Sequence, residues 1–256
     1  MTAPLSDKEF RLVNMLRSYK LIGFADEPEA QFQDPESYES MSFVDRIERC
    51  FDNHLKLVLK TRHDRLRKMA KLRYDIEIDL LQPDPVNGPD SSTLMKLRRA
   101  KFLDDGSNIL ISGPSGVGKT LLACAIANKA ISLNKSVLFI RVPDFLQKYE
   151  LSDEAWRLSM IEKMSKAALL ILDDFGLNSI DPNQALFFSG IAEERYGRRS
   201  TIFTAQLTLD GVKQVVSEKA NHLKQAVDNR FFYDGIWVIT LGGKSHRGSA
   251  KEIKGK

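Results

Sequence analysis

Residues 108–130 read NILISGPSGVGKTLLACAIANKA. An aliphatic run, a turn with glycines at 113, 116 and 118, a Lys–Thr pair and an Ala/Leu-rich stretch follow one another without a break. The aliphatic run predicts a strand buried on both faces. The Ala/Leu stretch is a strong helix former. The glycines admit a positive-φ backbone, so the strand can turn tightly into the helix with its N–H groups aimed inward. Gly113, Gly118, Lys119 and Thr120 occupy every fixed position of G-x-x-x-x-G-K-[ST]. A helix beginning at such a loop presents its positive end to anions, which makes the turn a phosphate cradle. In that reading Gly113, Pro114, Ser115, Gly116, Val117, Gly118, Lys119, Thr120 and Leu121 form the nucleotide-binding set. The Lys119 ammonium neutralises β- and γ-phosphate charge, and the Thr120 hydroxyl coordinates Mg²⁺.

The texture around this loop extends the argument. Short aliphatic runs recur at 108–112, 136–142, 168–174, 200–206 and 236–241, separated by helix-like stretches. Such alternation predicts an open parallel sheet with helices on both faces and a ligand at the carboxyl ends of the strands. The run at 168–174, ALLILDD, ends in two adjacent carboxylates. Asp173 is expected beside the Mg²⁺ and Asp174 beside the water that attacks the γ-phosphate, with the metal and Lys119 offsetting their repulsion. A strand-end pair that only caps the next turn is the plainer alternative.

The first third of the chain reads differently. Residues 6–22 predict a helix, with Ser6 and Glu9 as a capping box and Gly23 as its stop. ADEPEAQFQDPESYES, residues 25–40, predicts a loop. A long helix is expected over 42–72, with Val44, Ile47, Phe51, Leu55, Val58, Leu66 and Met69 on one face. Residues 44–73 carry ten Lys or Arg against four Asp or Glu, although the formal net charge of the whole chain is only +4. That stripe is a solvated helix face or a surface for an anionic polymer, with Arg62, Arg65 and Lys68 as candidate DNA contacts. QPDPVNGPDSS, residues 82–92, reads as a linker, dividing a small helical domain over 1–92 from a catalytic domain over 93–256. The two cysteines lack metal-ligand spacing, the four histidines are scattered, and no apolar run spans a bilayer or forms a signal core. A reduced, cytoplasmic protein without a resident metal cluster is expected.

GPSGVGKT, LLILDDFGL, RYGRRSTIFTAQ and VDNRFF stand in the order and spacing of AAA+ ATPases. More narrowly, the chain resembles the IstB-type helper ATPases of insertion-sequence transposition, relatives of DnaC-type helicase loaders. The specific part is 94–245. The resemblance implies an α/β P-loop AAA+ sandwich without a C-terminal lid, since 26 residues follow Arg230, preceded by a small all-α domain. It implies ATP and Mg²⁺ as ligands. It implies Thr204 and Gln206 as the γ-phosphate sensor, unless they only close a strand-end turn. Arg230 becomes an arginine finger acting in a neighbouring copy, or else a surface ion pair. Arg195, Arg198 and Arg199 line a subunit interface or DNA, or merely end a helix, and Arg247 contacts nucleotide. Many AAA+ proteins carry Glu where Asp174 stands, and the shorter side chain implies slow hydrolysis. The function implied is an oligomeric, DNA-binding ATPase that assists a transposase on duplex DNA. A DnaC-like loader of a replicative helicase is the first alternative and a P-loop small-molecule kinase the second.

Overall fold

The structure is a computed structural model that describes residues 4–215, 221–233 and 235–243. Arg247 and the basic tail lie outside the described residues. The chain divides into two compact units, Met1–Arg65 and Leu66–Lys256.

In the first unit α1 spans Asp7–Ser18, α2 spans Ile22–Gln33, a 3-10 turn covers Pro35–Tyr38, and α3 begins at Phe43 and continues to Ala70 in the second unit. The Glu9 carboxylate accepts from the Ser6 N–H (2.8 Å) and hydroxyl (2.6 Å), closing the expected box. The helix expected over 6–22 is nevertheless broken, because Lys20 takes a left-handed φ of 63°. The acidic stretch expected as a loop is largely α2, with Pro28 inside it. Tertiary contacts override local propensity there. Arg17 binds Glu29 (2.5 Å) and Asp26 (3.3 Å), and Arg49 binds Glu27. Gly23 is not a stop but a contact point. A Cβ there would lie 2.9 Å from the His54 Cα, and its carbonyl accepts from Asn53 Nδ2 at 2.8 Å. Most of the expected apolar face of α3 is exposed: Val44, Phe51, Leu55, Val58 and Met69 are, whereas Leu66 is buried.

The second unit contains α4 (Ser91–Arg99), α5 (Phe102–Asp105), β1 (Ile109–Ser112), α6 (Lys119–Ser132), β2 (Val137–Arg141), α7 (Val142–Glu150), α8 (Glu154–Lys166), β3 (Leu169–Asp173), α9 (Pro182–Arg195), β4 (Ser200–Ala205), α10 (Leu209–Lys213), α11 (Asn221–Phe231) and β5 (Trp237–Thr240). The five strands pair in parallel in the order β2-β3-β4-β1-β5. Successive residues point to opposite faces. Ile109, Ile111, Leu169, Ile171 and Ile202 pack with α4 and α6, while Leu110, Leu170, Leu172 and Phe203 pack with α7 and α9. This is the expected α/β sandwich, with each strand shorter by one or two residues than its aliphatic run.

The compact units part between Arg65 and Leu66, not at the proline-rich stretch. Leu66, Ala70 and Ile78 belong to the same core cluster as β1 and α6. The stretch 82–92 is not a free linker either. It folds into a turn, with Gly88 N–H bonded to the Asp84 carbonyl at 2.7 Å, and Asn87 O accepts from Gly242 N–H at 2.8 Å. A loop with a β-edge neighbour to bond has no need to stay solvated, and composition alone does not reveal that neighbour.

Candidate nucleotide-binding site

β1 is flanked on both sides, by β4 and the edge strand β5, so its carboxyl end lies inside the sheet rather than at its rim. The loop after it turns on Gly113 (φ 143°), Gly116 (φ 83°) and Gly118 (φ 98°). At Gly113 a Cβ would sit 2.1 Å from the Leu241 carbonyl oxygen, a clash with backbone that cannot yield. The loop delivers Lys119 and Thr120 as the first residues of α6. The Lys119 side chain is almost wholly buried, and its Nζ donates to the carbonyls of Gly113 (2.7 Å) and Pro114 (2.6 Å).

Asp173 ends β3, fully buried. Its Oδ1 accepts from the Thr120 hydroxyl at 2.8 Å and from the Thr204 hydroxyl at 2.6 Å. Its Oδ2 is buried with no hydrogen-bond partner. Burial pushes the carboxyl up, Asp174 adds to the rise, and the two hydroxyls oppose it. Thr204 also accepts from the Asp174 N–H (2.9 Å) and, through its carbonyl, from the Phe175 N–H (2.8 Å). The ends of β3, β4 and α6 are thus tied through two threonine hydroxyls and one carboxylate.

Asp174 takes a left-handed φ of 58°. Its Oδ2 accepts from Arg141 Nε at 3.0 Å, and Arg141 Nη1 donates to Asp144 at 2.7 Å. The bond to Asp174 raises the Arg141 guanidinium. Arg141, whose Cα pairs with Asp173 across β2 and β3, therefore supplies a positive charge beside Asp174 that the sequence reading did not name. A lone Arg ending an aliphatic strand, SVLFIR, is the signal that could have pointed to it.

A crevice of about 160 Å³ opens over these groups. Ser115, Gly116, Gly118, Lys119, Thr120, Leu121, Asp174, Gln206 and Tyr74 line it. A second, more apolar cavity of about 500 Å³ shares Gly118 and Leu121 with the first. Val117, Leu122, Leu241 and the turn at Asp84–Pro89 form its walls. Thus the structure brings the loop residues, Asp173, Asp174, Thr204 and Gln206 together, and Arg141 and Tyr74 join them unforeseen.

The remaining candidates lie elsewhere. Arg230, on α11, is half-buried and pairs with Glu193 of α9. Arg62, Arg65 and Lys68 are exposed on α3; Arg198 is exposed and Arg199 half-buried in the turn before β4. Arg195 is at neither an interface nor a frayed helix end. It is fully buried and donates to the carbonyls of Met164, Ala167 and Ser200 and to the Thr201 hydroxyl. Burial pushes its guanidinium down to about 9. Among the described residues no three His, Cys, Asp or Glu side chains gather as a metal cage, and no helix is long and apolar enough to cross a membrane.

The IstB-like ATP binding protein family matches residues 14–253. The chain belongs to the IstB-like ATP-binding proteins. An insertion-sequence ATP-binding protein of Sinorhizobium fredii is 37% identical over 181 residues, which is 70% of this IstB-like chain and 73% of the relative. The ATP-binding protein of insertion sequence IS1162 from Pseudomonas fluorescens is 32% identical over 198 residues, 76% and 85% of the two chains. Among solved structures, DnaI superimposes with a TM-score of 0.55 at 20% identity, covering 73% of this chain and all of its own. The replication initiator DnaA bound to AMPPCP and single-stranded DNA gives 0.53 at 17% identity, covering 68% and 52%. Both share the α/β fold of this IstB-like protein.

Proposed function

We propose that this IstB-like protein binds and hydrolyses ATP, assembles with copies of itself, and grips duplex DNA on behalf of a transposase. The observation that carries the reading is the buried Asp173. Its Oδ1 is engaged by Thr120 and Thr204 while its Oδ2 has no partner beside the glycine loop. A buried carboxylate oxygen left unpaired is costly unless a ligand group completes it.

In this reading the triphosphate lies along residues 113–121, and its base and ribose occupy the neighbouring apolar cavity. Thr120 and Asp173 are the residues that would hold Mg²⁺, whose charge offsets that of the phosphates. Lys119 leaves the loop carbonyls for β- and γ-phosphate oxygens. Asp174 orients the attacking water and takes its proton as the water oxygen bonds to the γ-phosphorus. ADP leaves with the electron pair of the broken P–O bond, giving ADP and phosphate. Gln206 on the crevice wall and Thr204 beside Asp173 read the terminal phosphate. Arg230 exchanges Glu193 for the γ-phosphate of a neighbouring copy, joining subunits and speeding hydrolysis. The exposed Lys and Arg of α3 and of the turn at 198–199 hold the DNA backbone without reading bases. The names of the insertion-sequence relatives favour a transposase over a helicase as the client.

The test is ATP-dependent retardation of long duplex DNA with a steep salt dependence. Lys119→Ala removes charge-assisted phosphate bonds of about 2–3 kcal/mol, so ATP affinity falls ~30- to 150-fold and the DNA shift disappears. No DNA shift by the wild-type protein at low salt with ATP present would end the proposal. Retention of a helicase rather than a transposase in a pull-down would redirect it to helicase loading.

A further inference from the structure

One residue on the crevice wall comes from outside the strand-end and loop motifs. Tyr74 lies four residues past the end of α3, in an irregular stretch that runs onto α6. Two contacts fix that stretch. Asn128 Nδ2 of α6 donates to the Asp75 carboxylate (3.1 Å) and to the Ile76 carbonyl (2.9 Å). Leu72 and Ile76 pack against the core on either side. The backbone is therefore held along α6, and Tyr74 lines the crevice together with Thr120, Asp174 and Gln206 while staying about one-third exposed. Arg73 lies with its guanidinium 5.8 Å from the Tyr74 ring centroid. Its charge also reaches Asp173, whose carboxyl it draws down.

A phenol at the edge of a polar crevice, backed by a guanidinium, is a hydrogen-bond donor set in positive potential. The same small crevice is lined by Asp174 and Gln206, where the reading above puts the terminal phosphate. From this geometry we infer that Tyr74 donates its hydroxyl to the γ-phosphate of a bound nucleoside triphosphate, with Arg73 as a positioning residue behind it. The pair favours triphosphate over diphosphate and ties the chain segment after α3 to the nucleotide state. The inference rests on the nucleotide reading of this site.

The experiment measures the affinity of a fluorescent, non-hydrolysable ATP analogue and of the matching ADP probe, together with amide hydrogen exchange over residues 72–76. The proteins compared are the wild type, Tyr74→Phe, Arg73→Gln and Lys119→Ala. A lost hydrogen bond to a charged group is worth about tenfold in affinity. Tyr74→Phe, which keeps the ring and its packing, is expected to lower ATP-analogue affinity ~10-fold while moving ADP affinity less than ~2-fold. Arg73→Gln shifts the same ratio in the same direction. In the wild type the ATP analogue slows exchange at 72–76 more than ADP does. Equal ATP-to-ADP ratios in the wild type, Tyr74→Phe and Arg73→Gln would overturn the inference, as would exchange at 72–76 that ignores which nucleotide is bound. If Lys119→Ala loses binding while the Tyr74 and Arg73 variants match the wild type, the nucleotide site stands and this inference alone falls. A wild-type protein that binds neither probe removes both.

Discussion

Asp173 sits fully buried with a carboxyl raised by desolvation, so its ionised form opposes folding of the nucleotide-free protein. The sign follows from the direction of the shift. Its proton is held in the folded state at pH values where the unfolded chain has released it. The stabilising contribution is complete below the ordinary value of 3.8 and is lost as pH rises through the raised folded value. Asp173→Asn keeps an oxygen for the Thr120 and Thr204 hydroxyls and carries no charge. Its melting temperature without nucleotide should exceed that of the wild type at neutral pH, and the gap should close on acidification. A gap that does not change with pH would contradict this. The same variant should bind ATP poorly in Mg²⁺. For Asp174 the split is the reverse. Asp174→Asn should bind ATP within a few-fold of wild type but hydrolyse it ~10²- to 10⁴-fold more slowly, as loss of a positioned base does. Single-turnover phosphate release against equilibrium binding separates the two. The left-handed φ of Asp174 is a conformation that Asn adopts readily, so the substitution adds no strain.

Among the elements, Arg195 shows how a charged residue can serve the fold. It closes α9 and collects three carbonyls and a hydroxyl from the end of α8, the approach to β3 and the start of β4. Arg195→Leu leaves those acceptors buried and unpaired, and a loss of about 3–5 kcal/mol in denaturant unfolding is expected. A loss below about 1 kcal/mol would mean that water replaces the guanidinium. Sequence could not assign it, because a helix-ending Arg beside Arg198 and Arg199 has the same pattern whether it is solvated or buried. What sequence does reveal is what local spacing encodes. The glycine loop, the five aliphatic strands and the paired carboxylates needed no knowledge of distant neighbours. Arg141, Tyr74, the α2 helix through Pro28 and the ordered 82–92 stretch escaped for the opposite reason. Each is decided by a partner far along the chain: Asp174, the crevice wall, Arg17 and Arg49, and Gly242.

At the scale of the whole molecule, Arg230 is where assembly and chemistry would meet. It extends from α11, whose Phe231 and the following Phe232 pack on Phe203, and Phe175, next to Asp174, packs on the same group. If it acts on a neighbour, Arg230→Ala should keep ATP affinity near wild type while hydrolysis loses its dependence on protein concentration and DNA. Isolated Arg230→Ala subunits hydrolysing as fast as wild-type assemblies would refute the role. A different consequence follows from the way the phosphate loop is closed. Gly113 lies against the Leu241 carbonyl, and Gly242 holds the turn at Asn87. The loop precedes the segment that braces it by more than a hundred residues, because Leu241 follows β5. A nascent chain on the ribosome should therefore remain blind to ATP until β5 has paired onto the rim of the sheet beside β1, so no half-made copy would compete for nucleotide.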